Sequence, residues 1–381
     1  MVFARPSFSG TCGPQASWVE ARPSDEIEPA VGTPAAPGAY RAGVEDGVAL
    51  ARPNWEDASW SYLYGPDTDY ASERPAPGEV AAAAKRMRAR EGALDVRGPM
   101  IKEPVWSWEV PAYFWFGGIA SGSAFVGLAC DLAGDQRSAA TARKVALAAL
   151  TPCPVLLISD LGRPARFLNM LRIFKTRSPM SMGTWCLSLF ANVVGLAVGA
   201  DLLGRRRTAQ ALGAAAAVVG GYLGSYTGVL LATTAVPLWS RSRLFLGPIF
   251  VATATATGAA ATRLTLAATG LPEQHPTNRA LDSVETCAIL AELALSSVNE
   301  RRLGRLADPL HEGPPGRLFR VAKGSVLAGL TLRALRPVIG RRAQDAVSVL
   351  YLGAGLAFRL AWVSAGKRSA ADDEAVILTH A

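Results

Sequence analysis

The chain is poor in the residues that hold metals and haems. It has five cysteines and three histidines in 381 residues. Cys12, Cys130, Cys153, Cys186 and Cys287 are scattered, with no pair at metal or cluster spacing. That excludes a disulfide framework and an iron–sulfur binding motif. His275, His311 and His380 fall in two loops and the tail. A haem held between membrane helices needs His or Met ligands at facing depths, so a bis-His haem is not expected. The start, MVFARPSFSG, lacks the basic segment, apolar core and small-residue cleavage site of a signal peptide. Basic patches with interleaved aromatics are also missing, which argues against nucleic-acid binding.

What is present is unevenly spread. Half of the residues are hydrophobic, yet mean hydropathy is only +0.20. Two unlike parts explain this. Residues 1–103 are rich in Pro, Gly, Ala and charge and read as a hydrophilic, largely irregular extension. Its tryptophans and tyrosines suit either a segment that wraps a partner or a low-complexity tail. Residues 104–368 contain recurring apolar stretches of roughly 20 residues, the length needed to cross a bilayer core of ~30 Å. Residues 369–381 form a short tail. Net charge is +8; in a membrane chain this places basic loops at lipid headgroups.

The membrane part reads as all-α, with eight spans near 110–133, 143–161, 182–203, 209–235, 244–268, 280–299, 319–338 and 345–366. Small residues, as in GGIASGSAFVG, let helices approach closely in lipid. The cluster VWSWEVPAYFWF suits an aromatic belt. An even span count puts both termini on one side, and the loop arginines favour the cytoplasm. The loops LGRPARF and GPPGRLFR share that side, which fits two four-helix halves in parallel orientation.

Between the second and third spans, LNMLRIFK reads as a short amphipathic helix. Ser178 is a candidate N-cap and Pro179 suits the first helical position. Such a basic connection can simply fix orientation. The motifs DLGRPxRF (from Asp160), SPMSxGxW (from Ser178) and YTGVLLAxxxxPxW (Tyr226 to Trp239) nevertheless resemble the NrfD-like family. These are the quinone-interacting membrane subunits of polysulfide reductase and related iron–sulfur molybdoenzyme complexes.

The resemblance implies two four-helix bundles and a quinone or quinol of menaquinone or ubiquinone type. It implies an iron–sulfur subunit docked on the membrane subunit and a molybdopterin catalytic subunit, for example one like formate dehydrogenase. A tyrosine at position 226 would contact the quinone head. Glu109 and Tyr113, at i and i+4, line the mouth of the first span or belong to the belt. Tyr222 and Tyr226, also i and i+4, offer two phenols to a quinone or pack against lipid. Asp160, Arg163, Arg166, Arg172 and Lys175 form the docking edge.

Charges deep in a span cost about 2.5–3.5 kcal/mol each on insertion scales. Asp282, Glu285 and Glu292 fall on one face of the sixth span. Arg359 lies deep in the eighth, and Arg333 well inside the seventh. They make either internal ion pairs, such as Glu292 with Arg359, or a hydrated proton path. The chain is therefore expected to be the multi-pass subunit of a respiratory complex in the inner membrane, without haem or cluster and inactive alone. A proton-coupled secondary transporter and a passive anchor without a quinone site are the alternatives.

Overall fold

The computed structural model describes residues 101–161, 167–172, 174–336 and 343–380. Regular structure among the described residues is entirely helical. The order is α1 (Glu109–Leu132), α2 (Gln136–Leu150), α3 (Pro152–Asp160), α4 (Phe167–Arg172), α5 (Pro179–Leu202) and α6 (Arg206–Ala232). Then come α7 (Pro237–Arg241), α8 (Leu246–Ala268), α9 (Pro276–Leu303), a 3-10 helix (Gly304–Leu310), α10 (Gly313–Ala334), α11 (Ala343–Ala370) and α12 (Asp373–His380).

Local chemistry sets many of the starts. The Asp135 carboxylate accepts from the Ser138 N–H at 3.1 Å and caps α2. Ser178 caps α5 through the Ser181 N–H, and Pro179 takes the first turn as expected. Pro152 and Pro154 lack the N–H that would continue the ladder, so α2 and α3 are one run broken at Thr151. Gly304 at φ +55° ends α9 and turns the chain into the 3-10 helix.

Each expected apolar run coincides with a helix. One boundary differs: GPPGRLFR is not a loop but the first turns of α10, because Pro314 sits where no backbone N–H is needed. The tail is helical too, as α12. The aromatic belt is also only partial. Trp108 is exposed, but Phe114 and Tyr113 are core residues.

Five helical runs are long and apolar enough to cross a membrane: α1, α2 with α3, α5, α6 and α11. Helices α8, α9 and α10 are as long but less apolar. Their packing explains why. α8 is covered by α1, α6, α9 and α11, so it needs small residues rather than leucines. α9 and α10 face each other with charges.

α1 packs on α2, α2 on α5, α5 on α6 and α6 back on α1. α8 lies against α1 and α6 and carries α9 and α11, with α10 on α11. The α1–α8 crossing is a backbone contact. A Cβ on Gly122 would stand 2.0 Å from the Ala254 carbonyl oxygen, and one on Gly258 2.3 Å from the Gly122 backbone. Only glycine fits there. Trp106 stacks on Trp239, centroids 5.5 Å apart. The Trp239 Nε1–H donates to the Trp362 carbonyl at 3.0 Å, tying α7 to α11.

Candidate functional site

The start of α5 and the end of α6 build the first part of the site. The Tyr226 hydroxyl donates to the Pro179 carbonyl at 2.6 Å. Gly183, one turn further, leaves room for the ring: a Cβ there would lie 2.2 Å from the Tyr226 Cζ. Cap, proline and glycine thus form a platform under the phenol. Tyr222 stacks on Tyr226 with centroids 6.1 Å apart and planes 20° apart. Tyr226 is buried, whereas Tyr222 is 46% exposed.

Tyr113 of α1 is buried in the same apolar cluster as Tyr226, Cys153 and Leu187. It lies within electrostatic reach of Tyr226, Cys153 and Cys186. At the mouth above it, the Ser107 hydroxyl donates to Glu109. The Ser107 backbone N–H donates to Asp160, the last residue of α3, which is close enough to Glu109 to feel its charge. The structure therefore gathers Tyr113 with Tyr226, and Glu109 with Asp160, at one end of the helices. Arg172 and Lys175 are exposed beside the α5 start, where the Lys175 N–H donates to the Ser181 hydroxyl at 3.0 Å. Phe174 packs edge-on against Trp185 at 5.9 Å. Arg163 and Arg166 lie outside the described residues.

The second part runs along α9. Asp282 pairs with Arg263, with Arg333 at 2.5 Å and with Arg336 at 3.1 Å. Glu285, fully buried, pairs with Arg333 and accepts from the Ser348 hydroxyl at 2.9 Å. Arg263 also reaches Asp345 at 2.9 Å.

Glu292 is buried with no ion pair among the described residues; Lys323 and Arg359 are its nearest opposite charges. Arg359, 2% exposed, donates to the Phe250 carbonyl at 3.0 Å and lies 3.6 Å from the Phe250 ring centroid. Its Nη1 is buried without a partner. Glu292 and Arg359 are thus within electrostatic range but not in a direct bridge. Nearer the chain-terminal side, Glu300 accepts from Lys323 at 2.8 Å through both oxygens, with His311 3.3 Å away. From Asp282 to Glu300 the helix rises ~27 Å, close to a bilayer core.

A further charged group centres on Arg143, at the very start of the expected 143–161 span. Arg143 is buried in α2 and holds Asp131 at 2.6 Å and Asp201 at 2.6 and 2.9 Å. The missed signal is periodicity: Ala139, Ala142 and Ala146 mark the buried face on which Arg143 lies. Arg263 and Asp345, which fall within the expected spans 244–268 and 345–366, are likewise not singled out by the sequence. Among the described residues, no group of three His, Cys, Asp or Glu is placed to hold a metal.

Residues 99–298 match the family described as Polysulphide reductase, NrfD, just over half of the 381 residues. The chain belongs to the NrfD family. The NrfD match takes in the tyrosine cluster, the Arg143 triad and the acids of α9 as far as Glu292. Arg333 on α10 and Arg359 on α11, which answer those acids, lie beyond it. No curated protein matches the chain.

Proposed function

We propose that this NrfD chain is the quinone-binding membrane subunit of a respiratory oxidoreductase complex in the inner membrane. It exchanges electrons with a docked iron–sulfur subunit whose catalytic partner carries a molybdopterin. All eight long helical runs would span the bilayer as two four-helix bundles, with both termini in the cytoplasm. The closed packing of α1, α2, α5 and α6 supports the first bundle. Each half also has its own charge cluster. The Arg143 triad joins the ends of α1 and α5 to α2, and the Arg263–Arg333 cluster joins the ends of α8 and α10 to the starts of α9 and α11.

The observation that carries the reading is the pair of buried phenols under a carboxylate mouth, beside the exposed Arg172 and Lys175. The residues fit a quinone head. Tyr113 makes no hydrogen bond among the described residues, so its O–H is available to a carbonyl oxygen. The Tyr226 proton is already given to Pro179 and its oxygen is approached by the Gly183 N–H; a second lone pair would accept from a quinol hydroxyl. Cys153, Leu187 and Leu223 supply apolar walls. A bound quinone would carry electrons and protons together between the membrane and the docked partner. Glu109 and Asp160, at the mouth, would take or give those protons toward water. Asp282, Glu285, Glu292 and Arg359 would move protons across the second bundle, with Glu292 and the half-partnered Arg359 at its middle.

Tyr113→Phe and Tyr226→Phe test this in the assembled complex. Each removes one hydroxyl with almost no change in volume. Loss of a hydrogen bond worth roughly 1.5 kcal/mol should lower quinone-linked turnover about ten-fold. Tyr222→Phe should do less, and transfer to an artificial acceptor at the catalytic subunit should persist. Wild-type turnover in both Tyr113→Phe and Tyr226→Phe would leave the passive-anchor reading.

A further inference from the structure

Away from the phenols, α6, α8 and α9 enclose a second feature, an apolar groove of about 780 Å³. Gly247, Val251 and Thr255 of α8 make its floor; Val229 of α6 and Cys287 and Ala291 of α9 make its walls. Small side chains along α8 and α9 create the hollow. From Gly247 to Thr255 the floor rises ~12 Å, and the α9 wall from Val284 to Leu295 rises ~16 Å. That is about half of a ~30 Å hydrocarbon core, the depth of one leaflet.

Arg243 closes the shallow end of the groove. It is exposed, and no carboxylate among the described residues lies within 4.0 Å of it. Arg241, Arg301 and Arg302 are exposed on the neighbouring ends of α7 and α9. Arg302 donates to the Arg241 carbonyl at 3.0 Å and lies 5.8 Å from the Phe245 ring centroid, which holds this cationic rim together. The Ser225 hydroxyl on the α6 wall is committed to the Tyr222 carbonyl at 2.9 Å. The groove therefore offers an unanswered positive charge at its shallow end and an apolar slot about one leaflet deep.

We propose that this groove is a binding site for an anionic phospholipid, with its phosphate on Arg243 and one acyl chain along α8. Basic pockets between membrane helices select such headgroups. A neutral quinone would leave Arg243 unanswered. The site is independent of Tyr113 and Tyr226 and stands whether or not quinone binds beside them.

Native mass spectrometry of the full chain, titrated in detergent with phosphatidylglycerol or phosphatidylcholine, tests the proposal. One phosphatidylglycerol should be retained in preference to phosphatidylcholine. Arg243→Gln should weaken that retention about five-fold, the worth of one cation near the headgroups. Ala291→Leu should weaken both lipids by filling the slot. Arg205→Gln, an exposed cation at the opposite end of α6, should change nothing. Melting curves confirm that each variant is folded. Equal retention of the two lipids overturns the proposal, as does indifference to both Arg243→Gln and Ala291→Leu. Displacement of the lipid by a long-tailed quinone overturns it in favour of a quinone-tail site. Loss of the groove to a self-associated dimer without lipid overturns it too.

Discussion

Arg333→Met removes the one cation that answers Glu285 directly. The Glu285 side chain is fully buried, and the Ser348 hydroxyl at 2.9 Å is its only other partner among the described residues. Asp282 is better protected, since Arg263 and Arg336 remain beside it. The cost therefore concentrates on Glu285. Breaking a buried pair from one side costs about 3–5 kcal/mol because a charge is left without its counterpart. The lower end applies here, about 3 kcal/mol, because Ser348 still donates and Asp282 keeps two arginines. Adding Glu285→Gln removes the stranded charge and keeps a group that can bond to Ser348. The double variant should lose less than about 1 kcal/mol, so that it is roughly 2 kcal/mol more stable than Arg333→Met alone. At roughly 2 °C per kcal/mol for a chain of this size, the single variant should melt about 6 °C below wild type and the double within about 2 °C. Thermal unfolding in detergent measures both. A single variant no less stable than the double would refute the ion pair. A stable double variant that also keeps proton-linked turnover would remove Glu285 and Arg333 from any proton path.

Two further predictions concern the α5 start. Reversing Arg172 and Lys175 to Glu should weaken co-purification of an acidic iron–sulfur partner, most at low salt, because complementary charge steers association; a complex unaffected at both low and high salt would make this loop only an orientation signal. Gly183→Ala would drive a Cβ to 2.2 Å from the Tyr226 ring, so the phenol must move; quinone-linked turnover should fall as in Tyr226→Phe, with about 1–3 kcal/mol lost to overpacking, and unchanged turnover would detach the Tyr226 platform from function.

Much of the helical layout is legible in the sequence because lipid-facing helices must be apolar over a bilayer's thickness. The cap at Ser178 and the turn at Pro179 are legible because their chemistry is local. The limits have one physical cause. Hydropathy measures what faces lipid, and α8, α9 and α10 hide their polar groups against other helices. Arg143, in an alanine-rich run, looks like a loop charge until its two aspartates arrive from α1 and α5. GPPGRLFR has the composition of a loop, yet prolines in a first turn start a helix rather than interrupt one. The meeting of Tyr226 with Pro179 spans 47 positions, and no local pattern encodes it. Glu292 and Arg359 share a depth but not a direct bridge, because Arg359 turns to the Phe250 carbonyl and ring.

On the proposed function, a quinone head sits between Tyr113 and Tyr226. Photolabelling the purified complex with an azido-quinone and mapping the modified peptides tests it most directly. The label should fall on the α1 peptide around Tyr113 and the α5–α6 peptides around Gly183 and Tyr226. It should be lost on competition with unmodified quinone and reduced in Tyr113→Phe. Labelling confined to the groove peptide around Cys287, or no competed label at all, would contradict the account.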